Sequence, residues 1–298
     1  MRNMESQKAA CLRPATQGAK PSIRPLLRWA GGKQRIVNRL RAFLPQDLTQ
    51  RVYREPFLGA GSLFFAVCPV NPVLSDANEH LIRCYESVCE NPDLIYRYLC
   101  EHRARTSRHY YYKVRDLYNH SDFSSAQAAR FIYLNKTCYN GIFRVNKRGE
   151  FNVPYGNQEV PCLPKQADLR RVAKLLKEAV LKTMPFEDAM KDPGPGDFFY
   201  LDPPYPPLNG TSYFTHYTAQ AFGEESQRRL AERVREADGR GAKFMMSNAD
   251  TDLIRRLYAG FTFTELSVAR SITCKAKRYR VNEFIITNYK PVTLGGGA

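Results

Sequence analysis

The sequence predicts an α/β protein: a mostly parallel sheet covered by helices on both faces, interrupted by an inserted, largely helical module. Three observations predict it. Short apolar runs alternate with amphipathic helical patterns along the 298 residues, which is the signature of stacked β-α-β units. A glycine turn leads from the first of these runs into a helix, as at the carboxyl edge of a parallel strand. The alternation breaks once, between Asp76 and Leu181, a gap far beyond the roughly dozen residues that a crossover needs.

The elements follow in order. Residues 1–22 read as a flexible polar leader and 291–298 as a flexible tail. Strand-like runs fall at Val52–Glu55, Val73–Ser75, Leu181–Met184, Phe198–Leu201, Ala242–Ser247, Phe261–Val268 and Glu283–Asn288. Leu63–Val67 is helical. Asp168–Val180 places Leu169, Val172, Leu175, Leu176 and Val180 at helical spacing. Glu224–Asp238 is a charged helix with Leu230 and Val234 inward, stopped by Gly239. The last two strands follow each other without a helical pattern, so they form an antiparallel pair at one edge. The sheet domain then comprises 23–84 and 166–290, and the insertion 85–165. Phe123–Lys136 is the insertion's clearest helix, capped by Ser124 or Ser125.

Composition narrows the function. No apolar run is long enough to span a bilayer. The start lacks the apolar core of a secretory signal. The eight cysteines form no C-x-x-C pair and have no histidine cluster beside them, so zinc and a disulfide framework are not expected, and a reducing cytoplasm is. The net charge is +16, and it is unevenly spread. Residues 1–46 hold ten Lys/Arg and one acid, while 130–149 and 266–280 each hold five Lys/Arg and none. Three such stretches favour a polyanion over the bland reading of a solvated face.

Asp202-Pro203-Pro204-Tyr205 ends the apolar run Phe198–Leu201. The prolines lack N–H donors and fix their own φ. They hold the Asp202 carboxylate and the Pro203 carbonyl as a rigid pair of acceptors beside the flat face of Tyr205. Two acceptors and a ring suit a planar base bearing an exocyclic NH₂. Upstream, Glu55-Pro56-Phe57-Leu58-Gly59-Ala60-Gly61 forms the glycine turn, and Asp76 ends the next strand. Glycines let a ligand approach the backbone, and an acid there hydrogen-bonds ribose hydroxyls. The turn is not a full G-x-G-x-x-G, so it points to an adenosine cofactor without a pyrophosphate. Gly31-Gly32-Lys33 lacks the earlier glycine and the following Ser/Thr of a phosphate-binding loop, which excludes nucleoside-triphosphate hydrolysis.

Together these segments resemble the Dam family of DNA adenine-N6 methyltransferases in their alpha arrangement. The order is Trp29-Ala30-Gly31-Gly32-Lys33, the glycine turn, an insertion, then Asp-Pro-Pro-Tyr, and the likeness runs from about Leu27 to Tyr289. The stretch Tyr139–Gly156 looks like that family's DNA-recognition hairpin. The resemblance implies a Rossmann-like S-adenosylmethionine-dependent methyltransferase sheet, with 85–165 a helical target-recognition domain carrying a β-hairpin. It implies that Trp29, Lys33, Glu55, Phe57, Gly59, Gly61, Asp76, Phe186 and Asp202 contact S-adenosylmethionine. Asp202, Pro203 and Tyr205 would hold a flipped adenine. Lys136, Lys147 and Arg148 would meet phosphates, Tyr139 would wedge into the base stack, and Asn140, Ile142 and Arg144, with Asn146, would read or border the bases. Arg270, Lys275 and Lys277 would lie along the backbone. The expected partner is double-stranded DNA, the target GATC, the chain a monomer without membrane or metal. Methylation of cytosine N4 or RNA adenine, and an inactive DNA-binding module, are the alternatives. Asp rather than Ser before the prolines favours adenine.

Overall fold

The computed structural model describes residues 23–206, 222–270 and 279–291. Its centre is a seven-stranded sheet. The strands are β1 (Val52–Glu55), β2 (Val73–Asp76), β3 (Val180–Thr183), β4 (Asp197–Leu201), β5 (Lys243–Ala249), β6 (Thr262–Arg270) and β7 (Tyr279–Thr287). They lie in the order β3-β2-β1-β4-β5-β7-β6. The first five run parallel to their neighbours, and β7 is antiparallel to both β5 and β6. The expected α/β class and the antiparallel edge pair are both present. The structure adds that β7, not β6, pairs with β5.

The helices are α1 (Val37–Arg41), α2 (Ser62–Val67), α3 (Glu79–Glu90), α4 (Pro92–Ala104), α5 (Arg108–Asn119), α6 (Ser125–Thr137), α7 (Gln166–Leu176), α8 (Phe186–Ala189), α9 (Glu224–Gly239) and α10 (Asp252–Leu257). Their caps are legible in the sequence. Asn78, Ser107, Ser124 and Thr251 each accept a backbone N–H two or three residues into the helix, satisfying a donor that the helix itself leaves open.

Strand β4 shows why the sheet is covered on both faces. All five of its residues are buried. Phe198 and Tyr200 join one apolar cluster with Tyr53, Leu74 and helices α3–α7. Phe199 and Leu201 join a second with Met190, which caps α8, and Leu230 and Val234 of α9. Side chains alternate across a strand, so a strand with no polar alternation must be walled on either side.

One helix ends earlier than expected, and one expected boundary lies within a helix. The helix expected to reach Val180 ends at Leu176. Val180 instead donates its N–H to the Pro72 carbonyl at 2.8 Å and opens β3, because pairing along β2 outweighs a continuing apolar period. The boundary expected at 84/85 falls inside α3, whose Leu81, Ile82, Cys84, Tyr85 and Val88 are all buried in the first cluster. The segment 85–165 contains α4, α5 and α6 and shares that cluster with the sheet. Among the described residues, no helix is long and apolar enough to cross a membrane.

Candidate active site and nucleic-acid face

The strand order reverses direction between β1 and β4, and ligands in open parallel sheets bind outside the carboxyl ends of the strands at such a switch point. Glu55 ends β1, Asp76 ends β2 and Asp202 follows β4. Three sequence-remote carboxyl groups therefore converge where the topology opens a crevice.

The glycine turn is built by close approach. Gly59 has φ +47, and a Cβ on it would lie 2.8 Å from Trp29 Cδ1. Its N–H donates to Asp76 Oδ2 at 3.0 Å, and the Asn78 N–H donates to Asp76 Oδ1 at 2.9 Å. The Asp76 carboxylate thus stitches the turn to the end of β2. Gly61 also has positive φ and opens α2. Phe57 stacks on Phe186 with centroids 5.4 Å apart, so these two expected cofactor residues form one apolar platform.

Charge in the crevice is graded by burial. Glu55 is buried, and Tyr53 donates its hydroxyl to Glu55 Oε2 at 2.6 Å. Desolvation, aided by the charges of Asp202 and Asp76, pushes the Glu55 carboxyl up to about 8 despite that donor. Burial likewise raises Asp76 to about 6, against the two backbone donors that lower it. Between pH 4.5 and about 8 the unfolded chain has released the Glu55 proton and the native protein keeps it. Glu55 therefore stabilises the fold most below pH 4.5, and this contribution is lost as pH rises to about 8. Glu55→Gln removes the titration. From pH 5 to pH 8 its stability, read by denaturant unfolding, should gain on the parent by more than ~1 kcal/mol; an unchanging difference would show that no raised proton resides there.

Lys33 is the unexpected organiser. Its Nζ lies 2.7 Å from Asp202 Oδ1, donates to the Gly31 carbonyl at 2.8 Å and sits 4.8 Å from the Tyr205 ring centroid. Besides the cofactor contact that the resemblance implies for it, Lys33 fixes the strand-end carboxylate and covers one face of the tyrosine. Burial, with Asp202 and Glu283, raises the Tyr205 hydroxyl well above its usual range. As a donor it meets Glu283 Oε2 at 2.9 Å. Gln227 donates to the Pro204 carbonyl at 2.9 Å and accepts from Asn248 at 3.3 Å. Sequence reasoning missed Glu283, Gln227 and Asn248. The available signal was a buried-strand pattern, Phe284–Thr287, headed by an acid.

The basic segment packs against the same site. Buried Asn135 of α6 accepts from the Arg28 N–H and donates to the Arg28 carbonyl, both at 2.8 Å. Gly141 has φ +65, and a Cβ there would lie 2.6 Å from Arg28 Cβ. Trp29 stacks on Phe143, centroids 5.9 Å apart and planes within 15°. One tryptophan thus touches both the glycine turn and the basic segment.

That segment is not a regular hairpin. It holds a 3-10 turn at Tyr139–Gly141 and the isolated bridges Cys138–Tyr155 and Val145–Phe151. Tyr139 is 49% exposed, and Asn140 has φ 55. Arg144, Lys147 and Arg148 are exposed, and Ile142 is half-buried. The Arg144 Nε donates to Asn152 Oδ1 at 2.8 Å. Asn146 builds the turn itself: its Oδ1 accepts from the Arg148 and Glu150 N–H groups, and its Nδ2 donates to Glu150. Lys136 is half-buried, with burial and Arg28 lowering it to about 8. Arg270 ends β6, and Lys275 and Lys277 lie outside the described residues.

A strand-end Asp-Pro-Pro-Tyr, a glycine turn bonded to a second strand-end acid, and a basic segment packed on the tryptophan that covers that turn are the features that a comparison with known families can test. Residues 29–272 match the family model for D12 class N6 adenine-specific DNA methyltransferases, and the chain belongs to that family. It is 38% identical over 287 residues to the type II methyltransferase M.MjaIII of Methanocaldococcus jannaschii, covering 90% of this chain and 99% of the relative. It is 35% identical over 280 residues to the type II methyltransferase M1.LlaDCHI of Lactococcus lactis subsp. cremoris, covering 92% and 98%. It is 33% identical over 270 residues to the DNA adenine methylase of Escherichia coli K12, covering 90% and 96%.

Proposed function

We propose that the chain methylates N6 of an adenine turned out of duplex DNA, within GATC, using S-adenosylmethionine. The observation that carries this reading is the Asp202 carboxylate, held by Lys33 beside the Tyr205 ring and next to the Gly59–Asp76 turn. The residues fit the cofactor. Asp76 suits ribose hydroxyls, and the Phe57–Phe186 platform suits an adenine ring. The acids Glu55, Asp76 and Asp202 disfavour a phosphate and favour a cationic ligand, since a nearby positive charge eases their ionisation. When bound, S-adenosylmethionine supplies an electrophilic methyl group on a sulfonium.

The protein's part is positioning. The amino nitrogen of adenine is a poor nucleophile because its lone pair is delocalised into the ring. Accepting both its N–H bonds, at Asp202 and at the Pro203 carbonyl, draws the nitrogen toward tetrahedral geometry and frees that pair. Alignment then supplies much of the rate, because orientation alone removes a large part of such a barrier. As the N–C bond formed, the bond from methyl to sulfonium would break and leave a neutral thioether, and the Asp202 oxygen, or water beside it, would take the released proton. A base in a duplex is out of reach, so it must be extruded at a cost of a few kcal/mol. In this reading exposed Tyr139 fills the gap, with Asn140, Ile142 and Arg144 reading neighbouring edges and Lys136, Lys147, Arg148, Arg270, Lys275 and Lys277 meeting phosphates. The segment 85–165 serves as the target-recognition unit, and a monomer suffices.

Incubation with labelled cofactor and plasmid, nucleoside analysis and methylation-sensitive nucleases test the reading. Label on N6-methyladenine in GATC supports it; label on cytosine N4, or none on any duplex, rejects it. Duplex affinity should also fall steeply with salt, by about 10³-fold from 50 to 200 mM for roughly six phosphate contacts. A flat salt dependence would remove the assigned basic face.

A further inference from the structure

We propose that Glu283 is a positioning residue for the target base, acting through Tyr205. The inference rests on the adenine reading above and deepens it. Glu283 lies on β7, next to β5 in the sheet, where it pairs with Ala249. It is 3% exposed, in an otherwise apolar stretch whose Phe284, Ile285 and Ile286 fill both clusters. A buried acid in such a strand carries a desolvation cost that a hydrophobic residue would not. Among the described residues it accepts a hydrogen bond from the hydroxyl of Tyr205, at 2.9 Å, across 78 residues of sequence.

Tyr205 follows two prolines and precedes residues 207–221, which lie outside the described part of the chain. A tyrosine ring turns about two side-chain torsions, and stacking on a base requires both to be set. Glu283 sets the far end of the ring through the hydroxyl. Lys33 sets one face, its ammonium 4.8 Å from the ring centroid while it also holds Asp202. A stacked base therefore takes the opposite face. The three side chains come from the loop before α1, the segment after β4 and the middle of β7, so the platform is aligned by the sheet as well as by its own loop. With both ring ends fixed, the plane of the base is fixed relative to the Asp202 acceptor, which is what alignment of its amino group demands.

The test uses the full chain with duplex carrying 2-aminopurine at the target adenine, alongside steady-state methylation of the normal duplex. Tyr205→Phe keeps the ring and deletes the hydroxyl; Glu283→Leu deletes the acceptor; Glu283→Gln keeps a carbonyl acceptor. Each of Tyr205→Phe and Glu283→Leu should lower kcat by about 10- to 100-fold, the range for a hydrogen bond to a charged group. Cofactor affinity should stay within about twofold. The double variant should be no worse than either single, because both remove one interaction. Glu283→Gln should recover most of the loss, and quenching of the flipped 2-aminopurine should weaken in the two deletions and return in Glu283→Gln. Thermal unfolding identifies any variant that fails to fold, in which case Tyr205→Phe and Glu283→Gln carry the comparison. Multiplying effects in the double variant, or unchanged kcat and quenching in folded Tyr205→Phe, would overturn the proposal. If the parent itself places no methyl on adenine, the functional reading fails instead, which the parent reaction reveals before any variant is made.

Discussion

Asp202→Ala is expected to lower methyl transfer by about 100- to 1,000-fold or more, the usual loss when one preorganised polar group is removed from a reacting centre. Duplex affinity should be nearly unchanged, because the basic segment proposed to meet DNA is built on α6 and its following turn, not on β4. The same change has a structural cost. Lys33 is 5% exposed and lies 2.7 Å from Asp202 Oδ1. Removing one partner leaves a buried cation held chiefly by the Gly31 carbonyl, and the loss of stability should reach about 3 kcal/mol. Asp202→Asn separates the two effects: it keeps the shape and one carbonyl acceptor, so it should unfold closer to the parent while remaining strongly impaired in transfer. Single-turnover rates, duplex titrations and thermal unfolding read the three quantities. Transfer by Asp202→Ala at the parent's rate would remove Asp202 from the reaction.

Gly59→Ala should be the most damaging single methyl group in the Gly59–Gly61 turn. The backbone there has φ +47, and the added Cβ would meet Trp29 Cδ1 at 2.8 Å. A non-glycine residue in the left-handed region costs about 1–2 kcal/mol before any clash. Relief requires moving either the indole, which stacks on Phe143, or the turn, whose N–H holds Asp76. Either movement disturbs the expected ribose acceptor, so the dissociation constant for S-adenosylmethionine should rise at least about tenfold, equivalent to about 1.4 kcal/mol. Calorimetry decides it. An unchanged constant would show that this turn does not floor the cofactor site.

Much of the sheet was legible because its signals are local. Each of the seven strands was expected within a few residues of its observed bounds, from apolar runs closed by turn residues. Leu230 and Val234 of α9 face inward as their spacing required. The errors fell where pairing across the chain overrode local pattern. Val180 continues a helical period but joins β2. Glu283 reads as an ordinary strand start, yet it meets Tyr205 across the sheet.

What the sequence determined by itself is the chemistry on offer: a carboxylate stiffened by two prolines, a ring beside it, glycines that admit a ligand and basic stretches that draw a polyanion. Residue type and short spacing suffice for these, since each rests on torsional freedom or charge within a few bonds. The tertiary structure alone decided which groups share one crevice. It brought Lys33 to Asp202, Asp76 to Gly59, Glu283 to Tyr205 and Trp29 to Phe143. Those partnerships depend on strand order and on burial, and burial is what makes a carboxyl near a lysine or a tyrosine matter, because water no longer screens the pair.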